Sequence, residues 1–204
     1  MNDQASDVNL TNAKPAEELA RADAYGLLAA LLSDAPDSEL LGRLGSVLGD
    51  ESEFGQALDA LAEAARLTDA ELVREEYEAL FIGLGRGELV PHGSFYLTGF
   101  LNEKPLARLR ADLSTLGVER SPDNKLPEDH IASVCEVMAG IIRGDFVEQG
   151  AVCQKTFFKA HVAPWAPKFF EDLSRAKTAR FYVAVGKLGA LLSQIDEVAF
   201  EIAA

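Results

Sequence analysis

The chain is poor in the residues that disulfide scaffolds, metal centres and nucleic-acid binders depend on. It has 2 cysteines in 204 residues, Cys135 and Cys153, without Cys-x-x-Cys spacing, so neither a disulfide framework nor a zinc site is expected. Cys135 falls among apolar helical residues, where a thiol packs as a small hydrophobe. The 3 histidines, His92, His130 and His161, have no spacing that suits a metal. No Ser-His-Asp or Cys-His arrangement can be assembled from them. Basic residues are scarce: 19 Lys and Arg against 33 Asp and Glu leave a formal net charge of −14. A nucleic-acid backbone or an anionic lipid surface would be repelled and a basic peptide attracted. The plainer use of the charge is solubility. Long apolar runs are missing too, since none approaches membrane-spanning length without a charge or a glycine. The polar, acidic start has no basic region followed by an apolar one. These absences lead us to expect a cytoplasmic protein with no cofactor, no nucleic-acid partner and no integral membrane association.

What is present is helical periodicity. Hydrophobic residues at 48% and charged residues at 25% are ordinary globular values, and 204 residues suit a single core. Residues 1–14 read as a disordered arm and residues 15–204 as one all-α domain of about nine helices. Pro15, followed by Glu17 and Glu18, opens the first. Thr68-Asp69-Ala70-Glu71 is a capping-box pattern for the fourth, which carries Leu72, Val73, Leu80 and Phe81. Pro105 starts a helix with Leu106, Leu109, Leu113 and Leu116, closed by Gly117. Ile131 to Ile142 is apolar over a wide arc and reads as buried on most sides. Further helices are expected from Asp145 to His161, from Pro164-Trp165 through Leu173, and from Lys177 onward. Two-residue alternation is absent, so strands have no support.

The stretch from Glu75 to His130 organises the rest. A helix end runs into a glycine-rich loop, Gly83 to Ser94, and then the aromatic pair Phe95-Tyr96. A loop this long in a compact domain favours binding over mere connection. Gly83, Gly85 and Gly87 lack the order, the lysine and the preceding strand of a phosphate-binding loop, so positive φ and mobility are their plainer use. Asp129-His130 is the sharpest pair, but adjacent helical residues do not face each other, which makes a catalytic dyad poor geometry. Glu128 and Asp129 either cap the following helix or, for Asp129, accept from a partner's Arg or Lys while His130 donates. Phe81 reads mainly as core and Tyr96 as a groove wall. His161 and Trp165 read as a core packing pair.

The order Tyr77-x-x-Leu80-Phe81-x-Gly83, Pro91-x-x-Ser94-x-Tyr96 and Glu128-Asp129-His130 resembles the TorD/DmsD (NarJ-related) family of redox-enzyme maturation chaperones. Phe158-x-x-His161-x-x-x-Trp165 and Phe181-Tyr182 are similar to that family's C-terminal pattern, and the likeness runs from Ala16 to Ile195. It implies an all-helical, non-enzymatic chaperone that binds the twin-arginine signal peptide and apo-form of a molybdenum or tungsten oxidoreductase. The implied peptide-binding residues are Tyr77, Leu80, Phe81, Pro91, Ser94, Tyr96, Asp129 and His130. The runs Leu80 to Leu89 and Phe100 to Pro105 resemble a formate-dehydrogenase-associated subgroup. Tyr77, Tyr96 and His92 depart from residues common in the family. Two alternatives stand beside this: a nucleotide hydrolase using the Asp129-His130 region, and a helical oligomerisation scaffold. Either a monomer or a domain-swapped homodimer fits long apolar helices joined by loops.

Overall fold

Ten α-helices carry the chain in a computed structural model that describes residues 14–83, 87–121, 125–146 and 152–202. They are α1 (Ala16–Ser33), α2 (Ser38–Gly45), α3 (Glu53–Arg66), α4 (Ala70–Tyr77), α5 (Gly93–Thr98), α6 (Lys104–Thr115), α7 (Ile131–Arg143), α8 (Gln154–Phe157), α9 (Ala166–Arg175) and α10 (Phe181–Ile202). The expected arm, but for Lys14, and Gly85 of the loop lie outside the described residues. No strand occurs among the described residues, only one isolated antiparallel bridge between His92 and His130. No described helix is long and apolar enough to cross a membrane.

Caps set most of the early boundaries. Asp37 accepts from the Leu40 N–H, Ser52 from Gly55, and Asp69 from Glu71 and Leu72, each satisfying a donor that the first helical turn leaves free. Asp69 rather than Thr68 is therefore the cap of α4. Two expected boundaries differ. Gly93–Thr98, read as the end of a loop, is the additional helix α5, stopped by the left-handed Gly99. Asp145 and Phe146, expected to open a helix, are not helical, residues 147–151 lie outside the described residues, and the described helix begins at Gln154, where Cys153 and Thr156 bond reciprocally.

The apolar arc of α7 is buried nearly all round, with Ile131, Val134, Cys135, Met138, Ile141 and Ile142 each at most 2% exposed. It packs on α1, while α10 packs on α9 and α3. Burial pushes the Cys135 thiol pKa well up, which keeps it a neutral, unreactive filler. One ion pair is buried with the core: Arg21 Nε donates to Asp196 Oδ1 at 2.7 Å and Tyr25 donates to Asp196 Oδ2 at 2.8 Å.

Two helices widen into π turns at their C-terminal ends, α4 over Glu78–Ile82 and α8 over Phe158–Val162. A π turn displaces the ordinary backbone ladder, and the returning loop uses what it leaves. Glu88 N–H donates to Ala79 O at 3.2 Å and Leu89 N–H to Leu80 O at 2.8 Å. Gly87 makes this return possible, because a Cβ there would sit 2.5 Å from Leu80 O. The loop is thereby folded back onto the helix it leaves, beside the residues that matter next.

Candidate recognition site

Two segments far apart in sequence cross and are pinned together. Gly93 N–H donates to Asp129 O and Ile131 N–H to Pro91 O, both at 2.9 Å. The Asp129 carboxylate then accepts from the Ser94 N–H at 2.8 Å, so it serves the start of α5, not of α7. Gly93 sits against the indole of Trp165, where a Cβ would lie 3.0 Å from Cε2. Trp165 Nε1 in turn donates to His161 O at 2.7 Å, and His161 Nε2 lies 2.6 Å from Asp112 Oδ2. His161 and Trp165 are thus the buried packing pair that their spacing suggested.

Asp129 and His130 do not form a dyad. The partner of Asp129 is His92, whose Nδ1 stands 3.5 Å from Oδ1, at the outer limit of a hydrogen bond. Burial works against the Asp129 charge, but the His92 ring and the Ser94 N–H outweigh it and bring its pKa down to about 2. His130 caps α7 by accepting the Ala132 N–H at Nδ1, which leaves the proton on Nε2. Burial first, and the nearby His92 second, push its pKa down to about 3, so the ring is neutral. The rings of His92 and His130 meet edge to face at 5.1 Å. Glu128, expected to cap α7, instead forms a fork with Arg110 at 3.1 and 2.9 Å. With His130 in the cap position, the carboxylate is left for the guanidinium.

A cleft of about 310 Å³ opens beside the crossing, lined by Asp34, Tyr77, Phe81, Ile82, Pro91, His92 and His130 among others. Two of its lining rings belong to a three-ring cluster completed by the buried Tyr182: Tyr77 and Phe81 at 5.0 Å, Phe81 and Tyr182 at 5.5 Å, Tyr77 and Tyr182 at 6.0 Å. Tyr77 is anchored by its hydroxyl on Leu32 O at 3.3 Å, and burial, helped by Asp34, raises its pKa to about 12. Ile82 is 60% exposed at the rim. The Asp34 carboxylate accepts only from the Ala35 N–H and meets no cation among the described residues.

Of the eight residues that the family resemblance implied, Tyr77, Phe81, Pro91 and His130 share this cleft. Leu80 is fully buried beneath it. Ser94 and Asp129 face a second cleft, described below. Tyr96 is half-buried, packed on Trp165 and Phe169 with its hydroxyl donated to Asp172. Sequence reasoning missed Asp34 and Ile82. The available signal was a turn carboxylate with no basic residue at helical spacing. No group of three or more His, Cys, Asp or Glu that could hold a metal occurs among the described residues.

This all-helical architecture is a fold that a solved structure shares. A solved structure of a protein proposed for redox enzyme maturation in Archaeoglobus fulgidus superimposes with a TM-score of 0.57, covering 93% of this chain and 99% of that one at 16% identity. In sequence, the chaperone protein TorD of Vibrio cholerae is 30% identical, over 74% of this chain and 75% of the relative. That of Vibrio parahaemolyticus is 28% identical, over 73% and 76%. The nitrate reductase delta subunit family profile matches residues 49–171. The chain belongs to this family, the TorD-like redox enzyme maturation chaperones of molybdoenzymes, and so to a family of chaperones and not of enzymes.

Proposed function

We propose that this chain is a cytoplasmic chaperone that binds the twin-arginine signal peptide and apo-form of a molybdenum or tungsten oxidoreductase. It holds the client during cofactor insertion and releases it for export afterwards. The carrying observation is the cleft beside the crossing, where a carboxylate without a cation, Asp34, shares the lining with half-buried Phe81 and exposed Ile82. A signal peptide presents the complement, a guanidinium pair leading into an apolar run. In this reading Tyr77, Phe81, Pro91 and His130 touch the peptide. Leu80, Ser94, Tyr96 and Asp129 hold the walls in place.

Formate dehydrogenase is the first client to try, because the loop from Leu80 to Leu89 resembles that subgroup. The test is calorimetric titration with a twin-arginine leader peptide and its twin-lysine counterpart. We expect the lysine peptide to bind about tenfold more weakly, the equivalent of about 1.4 kcal/mol, and Asp34→Asn to remove that preference. Equal affinity for both peptides, unchanged in Asp34→Asn and Phe81→Ala, would overturn the site. Failure with this leader and binding of another molybdoenzyme leader would change the client alone.

A further inference from the structure

On its Asp129 side the crossing helps line a second cleft, of about 440 Å³, walled by Leu97, Pro105, Leu109, Val134, Pro164 and Trp165. That volume lies in the range of small-molecule pockets. The charged groups that face it are Lys104, Arg108, Asp129 and His161. Asp129 is already engaged by the Ser94 N–H and the His92 ring, and His161 by Asp112. Lys104 and Arg108, one turn apart on exposed positions of α6, make no hydrogen bond or ion pair among the described residues. The charged groups of this cleft left without a partner among the described residues are therefore both cations, in a chain whose net charge is −14. A second feature points the same way. The Ser94 hydroxyl, on a residue with no exposed surface, has no hydrogen-bond partner among the described residues. A buried hydroxyl is costly to leave unmet, and a small shift of the cleft wall on binding brings it to a ligand oxygen.

We propose that this cleft binds a small molecule with an apolar body and one anionic group, a carboxylate or a phosphate. The apolar body lies on Leu97, Pro105, Pro164 and the edge of Trp165. The anionic group lies between Lys104, Arg108 and the Ser94 hydroxyl. Apolar walls lower the local dielectric and strengthen the attraction of the two cations over its value in water. The site is separate from the peptide cleft, so its occupancy and that of the peptide can be read independently.

Trp165 is the chain's 1 tryptophan, which makes its fluorescence a reporter of this cleft. The experiment titrates the full chain with 4-phenylbutyrate, phenyl phosphate and the uncharged 4-phenylbutanol. The expected result is a saturable change in Trp165 emission with at least one anion. Binding should be about tenfold weaker for the alcohol and for the Lys104→Gln/Arg108→Gln double variant. Both substitutions are at exposed positions, and circular dichroism checks the fold. Response to one anion and not the other identifies the group. No saturable change with either anion, or equal binding by the double variant, overturns the proposal. Signal-peptide affinity is expected to stay unchanged in the double variant, so failure here leaves the peptide reading standing, and the reverse.

Discussion

Asp129 and His130 are neighbours in sequence that serve two different helices: one carboxylate holds the start of α5, one imidazole caps α7. The sequence suggested the pair but not this division, because adjacency says nothing about which distant N–H each side chain will meet. The division has a consequence for pH. Native His130 stays unprotonated until about pH 3, while an unfolded histidine takes up its proton near 6.5. Between those values the unfolded state binds the extra proton, so stability falls as pH falls, by about 1.4 kcal/mol per pH unit. Asp129 acts lower down. Its native pKa is about 2 and its unfolded value near 3.9, so its contribution is complete above about pH 4 and is lost only as pH falls toward 2. Replacing His130 by Asn keeps an acceptor for the Ala132 N–H and removes the titration. Urea denaturation at pH 4, 5 and 6 is expected to give a slope of stability on pH flatter by about 1.4 kcal/mol per unit. The slope that remains comes from other groups whose pKa values the fold lowers, among them His161, Glu88 and Glu128. An unchanged slope would mean that His130 is solvated and outside the crossing.

Long helices were legible because their apolar spacing is a local property: α7 and α10 lie close to where periodicity put them. Short or irregular pieces were not. Helix α5 has 6 residues, too few to show a period, and is stopped by Gly99 and held by Asp129 and Trp165 from elsewhere in the chain. The π turn over Glu78–Ile82 is equally silent in sequence. So is the use of Glu76 and Glu88. Glu76 accepts the N–H groups of Arg180, Phe181 and Tyr182 at 2.7, 3.0 and 2.8 Å, capping α10 from another helix. Glu88 accepts from the N–H groups of Lys177 and Thr178 and from the Thr178 hydroxyl; its carboxylate is stabilised first by the Thr178 hydroxyl, which lowers its pKa. Together they tie the element carrying Phe81 to the element carrying Tyr182. Glu76→Ala is expected to cost about 1–2 kcal/mol, the range for loss of a helix cap, with faster amide exchange confined at first to the start of α10. Glu76→Gln, which keeps the acceptor oxygen, is expected to recover part of it. A loss spread evenly over all helices would argue against a local clasp.

At the scale of the whole molecule, the all-α class and the family likeness could be read from the chain because both rest on patterns that survive without coordinates. The clefts could not, since Asp34 and His130, or Ser94 and Lys104, come together only when the crossing closes. Net charge is the one whole-molecule property that bears on partner choice from either viewpoint. At −14 the chain sets up a field that attracts a cationic leader before any contact forms, and such steering acts on the encounter rate. In the proposed complex the docked peptide is held by short-range contacts on Phe81 and Ile82 and by Asp34, which salt screens less than the long-range field. Stopped-flow association of the twin-arginine peptide is therefore expected to slow about tenfold or more as ionic strength rises from about 0.02 to 0.5 M, because the screening length shrinks from tens of ångströms to a few. Dissociation should change far less over the same range. Asp34→Asn is expected to do the opposite, raising the dissociation rate while leaving the salt dependence of association nearly intact, since one charge among 33 acidic residues alters the contact more than the field. Equal salt effects on both rates would place the electrostatics in the docked contact alone and take the surplus charge back to solubility.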